Sequence, residues 1–425
     1  MGDTAGNCQD KPHKGVRGVS RSPSSEARRK LAQVRVAVLY ERVTDGRLYG
    51  RKMEEVIRLL KETKAQFIFR GFWRWNPCPN RPEQLPGRPR WRCEISGYSY
   101  RHLEEAISRI KAEIPHIIFC GAVPAQVLQR SWVWNPMTGE VFRYPQTWEM
   151  ALDPQKWGLP MSKEKFQCLF GKTHFWVPRE WGPEDYDPAK AAAYFPDLTN
   201  PRFQKLLLSW AQRQVDCGAD AIWIDMFFTQ ASVLTRLAKD PNHPAVRETW
   251  KAINSIIEGI RRHGRRKGKY ILVGSWGVGP VRLPLPPPPL DFVTFSPSSR
   301  EVYNLRLDEA RWRERFEMVR KRMGDTPIFV FIDWAGTTRT PLGVFSQRLS
   351  PEKQRQFLRL ADEFFSRLGA VFIYPLHGGF MGMDAKILSF GKFKFYDALA
   401  PEFRTYETIR ELARRRASSG AEPGR

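Results

Sequence analysis

The chain has 425 residues, 42% of them hydrophobic and 27% charged, which supplies material for a sizeable core and excludes disorder throughout. Lys and Arg outnumber Asp and Glu by 69 to 45, a formal charge of +24 that admits a polyanionic partner. No apolar run approaches the roughly 18–20 residues that span a bilayer, and the first 35 residues carry no apolar secretory core, so no membrane partner is expected and the cytoplasm is the expected compartment.

In chain order, residues 1–33 are polar and basic without apolar periodicity and read as a disordered basic arm. From 34 to 416, short β-branched and aromatic runs alternate with amphipathic helical stretches. The candidate strands are VRVAVLY (34–40), AQFIFRG (65–71), HIIFCG (116–121), AIWIDMF (221–227), YILVGS (270–275), FVTFSP (292–297), IFVFID (328–333) and VFIYPL (371–376). Helices are expected near 51–64, 100–113, 244–263, 308–323 and 401–416. Two more start at Thr199-Asn200-Pro201 and at Ser350-Pro351, each a capping residue followed by Pro at the first helical position. Residues 417–425 read as a flexible tail.

Eight strands alternating with seven helices make this an α/β chain and predict a (β/α)8 TIM barrel. Two units depart from the ideal. The prolines of the run GVGPVRLPLPPPPL between strands five and six forbid a helix and favour extended polyproline geometry, so it reads as a stiff connector. The segment 122–198 after strand three is far longer than an ordinary loop and reads as an insertion at the barrel mouth.

The basic clusters Arg261-Arg262-His263-Gly264-Arg265-Arg266-Lys267 and Arg414-Arg415-Arg416 fall in the last turns of expected helices, where cations complement the helix dipole. A nucleic-acid partner is therefore not expected. The six cysteines (Cys8, Cys78, Cys93, Cys120, Cys168, Cys217) form no CxxC pair and show no zinc spacing. With no GxxxxGK[ST] loop, GxGxxG fingerprint or HExxH helix in the chain, neither a cofactor nor a metal is expected.

In such a barrel the chemistry sits at the C-terminal ends of the strands. Asp225 ends strand four, on the same strand face as Ala221 and Trp223. Asp333 ends strand seven on the face of Phe329 and Phe331. Carboxylates are expensive to bury unless paired or used, and two of them converging over an aromatic floor is the arrangement glycoside hydrolysis needs. The alternative reading is that each accepts hydrogen bonds from the turn that follows its strand. Glu41, Glu180, Glu301 and Asp384 compete for the partner role.

Tryptophans are the second signal. Trp-x-Trp-Asn-Pro occurs at 73–77 and at 132–136, and Trp176, Trp181, Trp276 and Trp334 also lie near strand ends. Indole faces stack on the C–H surfaces of sugars, so Trp73, Trp75, Trp134, Trp176, Trp276 and Trp334 are expected to line a saccharide site, with Glu180 and His377 as polar contacts. His377 opens HGGFMG, whose amides would suit a phosphate, although a plain glycine turn is the simpler reading.

The stretch YFPDLTNPRFQKLLLSWAQRQVDCGADAIWIDM (194–226) resembles TIM-barrel glycoside hydrolases of the α-glucosidase and α-galactosidase superfamily and polygalactosaminidase-like putative glycosidases. There an Asp-(Phe/Leu)-Thr-Asn-Pro helix start precedes a Gly-x-Asp-(Gly/Ala)-(Ile/Phe)-Trp-x-Asp strand. The resemblance implies that Asp225 is a catalytic nucleophile. It departs after Asp225, where Met226, Phe227 and Phe228 replace an Asn-Glu pair. It departs again on strand six, where Ser296 stands in place of the general acid, leaving Glu301 or Asp333 for that role.

The sequence thus points to a glycoside hydrolase or transglycosidase on an oligo- or polysaccharide, with Asp225, Asp333 and Glu301 as catalytic candidates. The rival readings are an inactive barrel that binds saccharides through tryptophan platforms and a basic polyanion-binding protein.

Overall fold

The computed structural model describes residues 22–46, 50–73, 99–333, 336–386 and 394–419. Among them, eight parallel strands close on themselves: β1 (Ala37–Tyr40), β2 (Phe67–Phe69), β3 (Ile118–Pro124), β4 (Ala221–Asp225), β5 (Leu272–Trp276), β6 (Phe292–Phe295), β7 (Ile328–Val330) and β8 (Val371–Phe380). Each strand pairs with the next in sequence, and β8 returns to β1 with Ala37 opposite Ile373. A further strand, β9 (Phe395–Asp397), lies antiparallel on the end of β8. Every expected strand stretch overlaps one of the eight barrel strands, of which β3, β5 and β8 run past the expected ends.

The helices are α1 (Pro23–Ala32), α2 (Met53–Glu62), α3 (Tyr100–Glu113), α4 (Pro201–Asp216), α5 (Pro244–Arg266), α6 (Glu309–Met323), α7 (Pro351–Arg367) and α8 (Tyr406–Ser419), besides shorter ones in the loops. The two Pro-led starts work as read. Asn200 accepts from the amides of Arg202 and Phe203, and Ser350 from that of Lys353.

Strand parity sorts the core. Ile68, Ile222, Ile224, Val273, Val293 and Val330 point outward and pack with the helices. Phe67, Phe69, Trp223, Phe292, Phe329 and Phe331 point inward and fill the barrel. Six large aromatics fit because small residues stand beside them. Trp223 is flanked in register by Ala122 of β3 and Gly274 of β5. A Cβ on Gly274 would lie 2.2 Å from the Phe292 ring, so the interior is close-packed there and has no room for one more carbon.

The N-terminal arm is the first correction. Residues 1–33 are expected to be disordered, yet Pro23–Ala32 is a helix, capped by Ser22 and anchored by Leu31, which is buried in the barrel interior with Val34. Arg28 donates to Asp291 at 2.8 Å and to the Tyr270 hydroxyl at 2.7 Å, so α1 closes the N-terminal end of the barrel. Asp291 also accepts from Arg261 and from the Val273 amide. Because those partners remain, Arg28→Ala is expected to cost only about 1 kcal/mol, read as a lowered urea midpoint with unchanged slope.

Between β5 and β6 no helix is expected, yet the chain makes the five-residue helix Val278–Arg282 before its proline run, because Pro280 falls in the first turn, where its missing N–H has no partner within the helix. The prolines have no N–H, and neighbouring helices serve the carbonyls instead. Trp250 of α5 donates to Pro286, Arg261 of α5 to Pro289, and Arg322 of α6 to Leu283 and Leu285.

Between β3 and α4 lie two short antiparallel ribbons, Leu128–Gln129 with Ala193–Tyr194 and Val133–Trp134 with Val141–Phe142, and the helix Lys163–Thr173. This segment has its own apolar clusters, and Gln230 in the helix Thr229–Ala238 after β4 ties it down through Asp197 (2.8 Å) and the Leu198 amide (2.7 Å).

The basic clusters are largely consumed within the fold. Arg261 meets Asp291, His263 and Lys267 meet Asp216, and Arg415 and Arg416 both meet Asp362.

Candidate active site

The C-terminal ends of the strands deliver charge onto the aromatic interior. β1 runs into Glu41 and Arg42, β2 into Arg70, β4 ends in Asp225, β5 in Trp276, β7 runs into Asp333, and β8 carries His377. Asp225 and Asp333 are each only 5% exposed and Arg70 6%.

Arg70 Nη1 donates to Asp333 Oδ1 at 2.9 Å, and its guanidinium lies 4.6 Å from the Trp73 ring centroid, 5.3 Å from Trp223 and 6.0 Å from Phe331. Asp225 accepts from the Trp276 indole at 2.7 Å on Oδ1 and from Gln126 Nε2 at 2.8 Å on Oδ2. Three of the residues at these strand ends adopt left-handed backbone without being glycine: Arg42 (φ 59°), Arg70 (φ 55°) and Met226 (φ 53°). L-residues reach that region at a cost, and such strain gathers where a chain must aim a side chain.

A second charged layer adjoins the first. Glu41 accepts the Gly379 amide at 2.6 Å, and its own amide donates to the His377 carbonyl at 2.8 Å. His377 Nδ1 lies 2.6 Å from Asp397 and Nε2 3.8 Å from Asp45. Arg51 grips both oxygens of Asp397 and also donates to the Tyr40 hydroxyl at 2.9 Å. Arg42 reaches Asp45 at 3.2 Å.

Burial raises the Asp333 carboxyl to about 7; Arg70 draws it down, while Asp225 and Glu41 push it up. Burial also raises Asp225, against Arg70 and the bonds from Trp276 and Gln126. For His377, burial disfavours the imidazolium but the contacts with Asp397 and Asp45 outweigh it, so its pKa rises. The five buried carboxylates Glu41, Asp45, Asp225, Asp333 and Asp397 share this region with Arg42, Arg51, Arg70 and His377. The set is neutral when His377 is protonated and one carboxyl keeps its proton, and a buried cluster is least costly near neutrality.

The structure brings Asp225, Asp333, Trp73 and Trp276 together around Arg70. Trp276 does so by holding Asp225. His377 belongs to the adjoining layer, 1% exposed. Trp176 lies in the insertion beside His174, with ring centroids 4.8 Å apart. Burial lowers the His174 pKa, while the charge on Asp225 still favours its protonation across the gap. Trp134 packs on Tyr100 at the start of α3 and against the outer core, and Glu180 is exposed. Trp75 and Trp334 lie outside the described residues.

Glu301 is not part of the cluster. One oxygen caps the helix Ser299–Tyr303 through Ser298 and meets Arg311, and the other accepts from Trp312 and the Asp308 amide. Both oxygens are spent on holding α6 to its preceding loop. HGGFMG likewise gives the Gly379 amide to Glu41.

Arg70 and Gln126 are the residues that sequence reasoning missed. For Arg70 the signal was present, a charge closing the apolar run AQFIFRG as Asp225 closes AIWID.

No protein-family model and no curated protein sequence matches the chain. Among solved structures it is similar to the debranching enzyme of Nostoc punctiforme, with 12% identity and a TM-score of 0.44 over 86% of this chain and 70% of that one. It is also similar to cyclic alpha-maltosyl-(1→6)-maltose hydrolase from Arthrobacter globiformis, with 12% identity and a TM-score of 0.43 over 88% and 76%. A third similar structure is the glycoside hydrolase domain of PelA from Pseudomonas aeruginosa, with 13% identity and a TM-score of 0.35 over 67% and 89%.

Proposed function

We propose that this chain is a glycoside hydrolase that cleaves an oligo- or polysaccharide with Asp225 and Asp333 as its two carboxyl groups. The observation that carries this reading is the pair itself: two buried carboxyls at the mouths of β4 and β7, under the field of one buried guanidinium and above an aromatic floor.

The surroundings favour different protonation states for the two. An indole N–H can only donate, so Trp276 holds Asp225 Oδ1 as an acceptor and favours the anion. With Asp225 charged, repulsion helps Asp333 keep its proton at neutral pH. In the proposed reaction Asp333 gives that proton to the glycosidic oxygen as the C1–O bond breaks and its electron pair passes to the oxygen. Asp225 meets the positive charge that develops at C1. A carboxyl separation of about 5–5.5 Å would make Asp225 a covalent nucleophile, and one of about 6.5–9.5 Å would admit a water between them.

The test is release of reducing ends from a broad glycan panel. The wild-type protein is expected to hydrolyse at least one member, with activity declining as the pH rises through about 7 and Asp333 loses its proton. The double variant Asp225→Asn/Asp333→Asn is expected to hydrolyse none. Equal release by both proteins removes the pair from the mechanism, and saturable glycan binding without release by the wild type turns the reading to an inactive saccharide binder.

A further inference from the structure

We propose that Arg70 is the positioning residue of this site, a fixed charge that orients Asp333 and sets the pH at which it gives up its proton. This rests on Asp333 being the acid of the reading above, but the contact with Arg70 stands without it.

The geometry is specific. Phe67 and Phe69 point into the barrel and Ile68 points out, so strand parity alone sends Arg70 outward among the helices. Its left-handed backbone, φ 55°, breaks the alternation and turns the side chain back over the interior. There the guanidinium packs beside the rings of Trp73, Trp223 and Phe331 and presents Nη1 to Asp333. A charge packed against three rings and only 6% exposed has little room to swing away as the carboxyl titrates. Strain, desolvation and an aromatic cage have all been spent on one cation, more than is needed to plug an apolar barrel that a Met would fill.

Among the described residues, the charged and titratable groups around Asp333 are Arg70 just after β2, Asp225 at the end of β4 and Glu41 just after β1. Arg42, Asp45, His377 and Asp397 are linked to Glu41 in the adjoining layer, and the Ser296 hydroxyl after β6 accepts the Asp333 amide. Among the described residues Arg70 is the cation that touches Asp333, and it also feels Glu41 and Asp225.

The deciding experiment follows the C=O stretch of protonated Asp333 by infrared difference titration of the full chain, assigned by its loss in Asp333→Asn. Arg70→Met is expected to move the titration midpoint upward by about one unit or more, because the charge that favours the carboxylate is gone. Arg70→Lys, which keeps the charge, is expected to return it most of the way. Should Arg70→Met fail to fold, Arg70→Gln, which keeps an N–H for Asp333 without charge, is expected to give the same upward move. An unmoved midpoint in whichever neutral variant folds overturns the proposal. Where turnover is measurable, the alkaline limb of the pH profile is expected to move with the infrared midpoint, and a limb that stays put also overturns it. Absence of turnover on every glycan would sink the hydrolase reading alone, since the infrared midpoint still decides what Arg70 does.

Discussion

Asp225→Asn is expected to lower turnover by about 10³- to 10⁵-fold while leaving thermal stability unchanged or higher. At 1.36 kcal/mol per decade this is roughly 4–7 kcal/mol of transition-state stabilisation, the scale on which removing a covalent or charge-stabilising carboxylate is felt. Stability is spared because the amide fills the same space, its oxygen still accepts the Trp276 indole N–H, and Gln126, which donates to the other oxygen of Asp225, can turn its amide to offer its carbonyl to the new NH2. The variant also removes a charge that is costly to hold at 5% exposure. The two measurements together separate a functional carboxylate from a structural one. If Asp225 only closed the turn after β4, Asn would leave turnover nearly intact, and a collapse of both activity and melting temperature would mark it as an element of the fold.

The largest loss of stability is expected from Trp223→Ala, about 3–5 kcal/mol as read from the urea midpoint. Trp223 is fully buried and sits where the interior packing converges, against Phe69, Trp73, Trp276 and Phe331, with its indole N–H on the Thr294 hydroxyl at 3.0 Å. Its flanking residues in register are Ala122 and Gly274, which have no bulk with which to refill the hole. Trp223→Phe, which keeps most of the ring, is expected to cost less than half as much. A Trp223→Ala protein with an unchanged midpoint would show that the interior collapses around the gap.

The fold was legible because parallel strands and their helices leave separate periodic signatures, and each of the eight apolar runs carries one. Asp225 and Asp333 were legible by parity, two-residue alternation from Trp223 and Phe331 placing them inside, and Trp276 by its place at a strand end. Arg70 was not, because parity gives the opposite answer and only a left-handed turn, invisible in a bare sequence, reverses it. Glu301 was misread although Ser298-Ser299-Arg300-Glu301 has the spacing of a capping box, a signal that accounts for its carboxylate without chemistry. The helix Pro23–Ala32 was hidden by its charge. Its start, Ser22-Pro23, is the same signal read at Ser350-Pro351, but Leu31 is its one fully buried apolar anchor and gives no periodicity to detect.

The proline connector bears on how the barrel comes apart. A sector that lacks its helix is ordinarily where a wall opens first and where a protease nicks. Here the carbonyls of Leu283, Leu285, Pro286 and Pro289 are held by side chains from α5 on one side and α6 on the other. The prolines have little freedom to gain by leaving. The connector therefore acts as a hasp between two helices that are not consecutive in the wall. To open it both must let go together, so cleavage in residues 283–290 would report the integrity of the whole barrel rather than the looseness of a loop.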